Sequence, residues 1–220
     1  MRRLLVTALG VVGELVGPAS CAGCDIAVPH GTAFCSACSG TLVRAPNPRA
    51  DRVAAFVYGG AIADAIRKLK FDDRPDLATP LAASFGRLVP GFRGEGLGVV
   101  VPVPLHPSRL VERGYNQASL LARNLARRLD VPFAPRALGR RLVTSRQSDL
   151  SREARVTNVA GAFAPVDPRG VSGQAVLLVD DVETTGTTLD ACCDALRAAG
   201  ARSIVSAVVA RAELAHTPSR

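Results

Sequence analysis

The chain has no tryptophan, one methionine and two tyrosines, and aromatic residues make up only 4% of it. Platforms on which bare nucleic-acid bases could stack are therefore scarce, which weighs against a protein that grips single strands by their bases. Lysine is nearly absent too: of 27 basic residues only Lys68 and Lys70 are lysines, leaving 25 arginines. The cationic surface is thus built from planar guanidinium forks, which suit phosphates better than point charges do. After the first twenty residues no stretch is long and apolar enough to span a membrane.

The opening, MRRLLVTALGVVGELVGPASC, has the basic start and apolar run of a secretory leader. Glu14 interrupts that run, and Pro18 spoils a lipoprotein-type cleavage site before Cys21. Cutting there would also remove Cys21 from the cluster described below. An export signal is the competing reading; we expect a docked N-terminal helix and a cytoplasmic protein. At 220 residues and 48% hydrophobic, the chain allows one α/β core with a small appendage and excludes two full-size domains.

The net charge of +8 is unevenly placed: between Val101 and Asn158 eleven arginines stand against four acids, a local +7. Such an excess points to a polyanionic ligand, a phosphorylated small molecule or a nucleic acid. The plainer alternative is a solubilising arginine-rich face.

Cys21, Cys24, Cys35 and Cys38 form two CxxC pairs separated by ten residues. Each pair can hold one metal ion from a tight turn, and four thiolates complete the tetrahedral shell of structural Zn²⁺, leaving no position open for catalysis. Two disulfides are the alternative in an oxidising compartment. His30, between the pairs, reads as a solvated loop residue. Cys192 and Cys193, far from the cluster, read as small packing residues of a helix.

Residues 1–46 are expected to form a helix and a zinc ribbon, and 47–220 the main domain. Strands are expected at Val53–Tyr58, Gly98–Val103, Ala175–Val179 and Ser203–Val209. The apolar spacing of Ile62, Ile66 and Leu69 marks a helix that leaves Arg67, Lys68 and Lys70 on other faces. Further helices are expected over Asp76–Leu88, Asn116–Leu129 and Thr187–Ala199, with a loop before Asn116. Strands alternating with helices imply an α/β fold, a mostly parallel sheet flanked by helices.

The segment LLVDDVETTGTTL (177–189) carries Asp180 and Asp181 to the carboxyl end of a strand, where such sheets bind ligands. Thr184 to Thr188 can offer backbone N–H groups and hydroxyls at a helix start, with Gly186 permitting a tight turn, and a phosphate monoester fits there. The carboxylates would repel that phosphate, so they are expected to face a hydroxylated sugar or its Mg²⁺. A phosphorylated ribose meets both demands.

This segment resembles the phosphoribosyl pyrophosphate (PRPP) motif of type I phosphoribosyltransferases. Together with VPVPLHPSRLVERGYNQASLLA (101–122), TSRQSDLSREARVTNVAGAF (144–163) and the four-cysteine ribbon, it is similar to the ComF family of competence-associated proteins along nearly the whole chain. The resemblance implies a type I phosphoribosyltransferase fold and Mg²⁺-dependent transfer of phosphoribosyl to a nitrogen acceptor, with release of pyrophosphate. It implies that Asp180 and Asp181 hold the ribose, and that Thr184, Thr185, Gly186, Thr187 and Thr188 hold the 5′-phosphate. Arg109 and Arg113, with Gly114, Asn116 and Gln117, would meet the pyrophosphate. Thr144, Gln147 and Arg155, with Leu150, Asn158 and Gly161, would form a closing loop, an ordinary exposed helix with solvated arginines being the alternative there. Purine-using relatives have an acid at the position of Thr184, so threonine argues against purine salvage. Glu183 departs from the apolar residue usual in the family and is expected to face solvent rather than line an acceptor pocket. Two other roles stay open: a non-catalytic factor that associates with single-stranded DNA during uptake, and a PRPP sensor. The sequence also leaves room for a homodimer.

Overall fold

In the computed structural model, which describes residues 19–47, 49–86, 96–140 and 161–212, the apolar runs become the strands of one parallel sheet. Its strands are β1 (Arg52–Val57), β2 (Leu97–Pro102), β5 (Ala175–Glu183) and β6 (Ser203–Arg211), in the spatial order β1-β6-β5-β2. The two central strands are nearly unbroken apolar runs because both faces are covered: Val176, Leu177, Leu178 and Val179 of β5 and Ala207 to Ala210 of β6 are all buried. A small antiparallel pair, β3 (Leu138–Arg140) with β4 (Phe163–Pro165), lies outside this sheet.

Helices cover both faces. In chain order they are the single turn α1 (Ser36–Ser39), then α2 (Gly60–Phe71), α3 (Ala78–Gly86), α4 (Pro107–Arg113), α5 (Gln117–Leu129) and α6 (Thr187–Ala198). On one face Ile62, Ile66 and Leu69 of α2, Leu81 of α3 and Leu121 and Leu125 of α5 pack with Leu177 and Val179. On the other, Leu189, Cys192, Cys193 and Leu196 of α6 pack with Leu178 and Val208. Cys192 and Cys193 are thus packing residues, as expected, and burial pushes both thiols up in pKa.

The four-cysteine ribbon is part of the first of these cores, through Cys21, Ala22, Val28 and Phe34. Its anchor corrects the sequence reading of Lys68, which was expected to lie away from the packed face. Lys68 is buried; its ammonium donates to Gly23 O at 2.8 Å and pairs with Asp25. Arg74 holds the other oxygen of Asp25 at 2.8 Å. These two cations hold the carboxyl of Asp25 below its usual range, the hydrogen bond from Lys68 being the largest cause. Among the described residues no helix is long and apolar enough to cross a membrane. The expected N-terminal helix and the closing-loop candidates Thr144, Gln147 and Arg155, with Leu150 and Asn158, lie outside the described residues.

Candidate functional site

The four sulfurs of Cys21, Cys24, Cys35 and Cys38 lie within 4.8 Å of one another, with Cys24 and Cys35 Sγ 3.7 Å apart. Four thiolates around one Zn²⁺ at 2.3 Å stand about 3.8 Å apart, so the cluster can hold a metal ion. Backbone groups already point at the sulfurs: Cys35 N–H donates to Cys21 Sγ at 3.2 Å. Burial opposes ionisation of Cys21, yet the N–H groups of Cys35, Cys24 and Gly23 draw its thiol down to about 6. Burial and hydrogen bonds from the neighbouring sulfurs push Cys38 up to about 12. Four such groups ionise together only around a cation. His30 is exposed and outside the cluster.

The second site lies at the carboxyl end of the sheet. The pairing of β2 stops at Pro102 opposite Val179, whereas β5 runs on to Glu183 with only β6 beside it. The edge of β5 from Asp180 onward therefore faces a crevice. Helix α5, which follows β2, packs on one face of the sheet, and α6, which follows β5, on the other. Opposite crossovers from neighbouring strands make this crevice a topological switch point, the usual ligand site of an open α/β sheet.

Asp180 and Asp181 lie inside the β5 ladder rather than beyond its end, so their side chains leave opposite faces. Asp181 is buried and its Oδ2 is 3.0 Å from Lys70 Nζ. The contact is an ion pair whose angle forms no hydrogen bond, which leaves that oxygen able to accept from a ligand hydroxyl. Asp180 Oδ1 accepts the N–H of Asp181 at 2.8 Å. Burial first, then the charge of Asp181, push the Asp180 carboxyl well above its usual range. A ligand can engage both acids by lying across the open edge of β5. Hydroxyls placed there would donate to Asp181, and a cation beside Asp180 would favour its ionised form.

Thr184 and Thr185 are exposed, Thr187 and Thr188 partly so, and Thr185 and Thr187 Oγ1 lie 2.9 Å apart. Gly186 is the N-cap of α6 in the left-handed region (φ +81°), and no side chain caps that helix start. The N–H groups of its first turn are thus available to an anion.

On the β2 side, the expected loop is in part the helix α4. His106 caps it, its Nδ1 accepting from Ser108 N–H at 3.2 Å, and Gly114 (φ +74°) ends it. Asn116 accepts from Ala118 N–H at 3.0 Å and donates to Val103 O at 3.0 Å, tying the start of α5 to the exit of β2. Arg109 is exposed and paired with Glu112 at 2.9 Å. Arg113 donates to the buried Gln117 at 3.1 Å and lies 4.8 Å over the ring of Phe71. A cavity of about 470 Å³ opens between Lys70, Phe71, Asp73, Val111, Arg113 and Tyr115. Lys70 therefore links this cavity to the acid pair, a role that helical periodicity alone did not reveal. Its position at the last turn of α2, beside the carboxyl end of the sheet, was the available signal.

Glu183 corrects the expectation of a solvent-facing residue. It is 7% exposed, its Oε1 3.2 Å from Arg52 Nη1 and its Oε2 2.7 Å from Arg211 Nε. Gly161 is described and takes a left-handed turn (φ +85°) just before β4.

The parallel sheet flanked by helices is that of the type I phosphoribosyltransferase fold, and the phosphoribosyl transferase domain model matches residues 116–218. The chain is 30% identical over 188 residues to the DNA utilization protein YhgH of Escherichia coli K12, covering 84% of this chain and 80% of that protein. It is 40% identical over 114 residues to competence protein F of Haemophilus influenzae, covering 51% and 50% of the two chains. Competence protein ComFC of Bacillus subtilis is 27% identical over 134 residues, covering 61% and 52%. The chain belongs to the ComF family of proteins with a phosphoribosyltransferase domain.

Proposed function

We propose that this chain binds PRPP with Mg²⁺ at the carboxyl end of β5 and transfers its phosphoribosyl group to a nitrogen acceptor. The observation that carries this reading is the open edge of β5: an acid pair there is followed at once by an uncapped helix start behind Gly186. Asp180 and Asp181 take the ribose hydroxyls, and Thr184, Thr185, Gly186, Thr187 and Thr188 take the 5′-phosphate. Arg109 and Arg113, on the far side of the crevice, take the pyrophosphate. When bound, Mg²⁺ would neutralise charge on the pyrophosphate. The nitrogen lone pair forms a bond to ribose C1 as the C1–O bond breaks, and that electron pair leaves with pyrophosphate while the nitrogen loses its proton. The carboxylates offset the positive charge that builds on the ring. In the ribbon, Zn²⁺ held by the four thiolates is structural.

Titration calorimetry with PRPP and Mg²⁺ should give saturable binding, and a screen of amines and bases should find one that releases pyrophosphate. Absence of heat would sink the reading; binding without turnover for any acceptor would leave a PRPP sensor.

A second reading, association with single-stranded DNA, draws on the names of the DNA utilization and competence relatives and on several exposed arginines. Arg123, Arg127 and Arg128 of α5, with Arg136 and Arg140, face solvent. Backbone binding of this kind weakens steeply with salt. Fluorescence anisotropy with labelled single strands should therefore show affinity at low salt only; no binding there would remove this reading.

A further inference from the structure

Thr184–Thr188 sits on an ion cluster that its own sequence gives no hint of. Arg52, at the start of β1, spends its two terminal nitrogens on acids that flank the loop: Nη1 on Glu183, immediately before Thr184, at 3.2 Å, and Nη2 on Asp190, in the first turn of α6. One guanidinium thus holds both ends of the loop. Glu183 is held in turn by Arg211 Nε at 2.7 Å, and Arg211 Nη1 donates to Pro46 O at 2.9 Å. The loop rests directly on this pair: a Cβ on Gly186 would meet Arg52 Nη1 at 2.6 Å and Glu183 Oε1 at 3.1 Å. Glycine is needed here twice, for the left-handed backbone and for the close approach. Both oxygens of Glu183 are thus held by a guanidinium.

We infer that Arg52, Glu183 and Arg211 are positioning residues that fix the threonine loop in the form that receives a phosphate monoester. The inference rests on the PRPP reading above and adds to it residues from β1 and β6 that contact no ligand themselves. A buried ion cluster is poor evidence for stability, because desolvation of the charges offsets their attraction. Its effect should fall on the geometry of the loop instead: a fork fits this place, and a point charge of the same sign does not.

The test uses the full-length protein and two probes that report on separate halves of the crevice: ribose 5-phosphate for the loop and magnesium pyrophosphate for the Arg109–Arg113 side. Arg52→Lys keeps the charge but cannot span Glu183 and Asp190 together. It and Glu183→Gln should weaken ribose 5-phosphate about tenfold or more while pyrophosphate affinity stays within about twofold. Asp190→Asn should give a smaller loss, and Asp190→Glu should restore native affinity. Should Glu183→Gln fail to fold, Arg52→Lys and Asp190→Asn carry the test. Unchanged ribose 5-phosphate affinity in Arg52→Lys, or equal weakening of both probes, would overturn the positioning role. A native protein that binds neither probe would overturn the PRPP reading itself, and the inference with it.

Discussion

An Asp180→Asn variant is expected to melt higher than the native protein at pH 7 while binding PRPP roughly 30- to 100-fold more weakly, the loss of one charge-assisted hydrogen bond worth about 2–3 kcal/mol. The two effects share a cause. Burial, and Asp181 beside it, hold the Asp180 carboxyl far above its usual range. In the unfolded chain the same group titrates near 3.9. Between that value and the raised one the folded state binds more protons than the unfolded state. Stability therefore falls as pH rises through this window and stays low above it. Asparagine removes that cost. A gain of about 1 kcal/mol corresponds to about 2–4 °C at this chain length, and it should vanish near pH 3, where Asp180 is protonated in both states. Adding Asp181→Asn should abolish measurable PRPP binding, and it also strips Lys70 of its partner, so the double variant should lose the thermal gain. Calorimetric melts at the two pH values, alongside PRPP titrations, check all of this. Native PRPP affinity in the double variant, or a lower melt for Asp180→Asn at pH 7, would refute it.

Removing the metal should be the most damaging single change. The purified protein is expected to carry about one equivalent of zinc. A strong chelator, or Cys35→Ser, is expected to lower the melting midpoint by on the order of 10 °C, equivalent to about 3–5 kcal/mol at this chain length. The reason lies in the packing: Cys21, Ala22, Val28 and Phe34 share a core with α2 and α3, and the buried Lys68 has Asp25 and Gly23 O as its partners. Loss of the ribbon exposes that apolar surface and strands a buried ammonium. Metal analysis with melts before and after chelation decides the matter, and a metal-free protein that melts unchanged would refute it.

The sheet was legible because its signals are local. Apolar runs bounded by glycine and proline placed all four strands to within a few residues, and apolar spacing placed α2 and α5. The acid pair and threonine loop were legible for the same reason, as one continuous segment. What escaped depends on distant partners or on weak local patterns. Helix α4 (Pro107–Arg113) starts on a proline just after Pro102 and Pro104 and buries no residue, so no periodicity marks it. The short β3–β4 pair has three residues a side. The burial of Glu183 requires Arg52 and Arg211, which reach it only through the strand order β1-β6-β5. An acid read from its own neighbours looks solvated, and its cations become visible only once the sheet is assembled.

The strand order also dictates a sequence of events during synthesis. Among the described residues β6 is the last strand in chain order, yet it is a central one, inserted between β1 and β5. Until it emerges, β1 has no parallel neighbour and β5 keeps an unpaired edge, so two hydrophobic strands wait half-covered on the ribosome. Arg211, which completes the support of Glu183, arrives with the same strand. The threonine loop therefore gains its full support only once β6 is in place, and a nascent chain stalled before β6 would hold the whole segment 177–189 without the framework that shapes it.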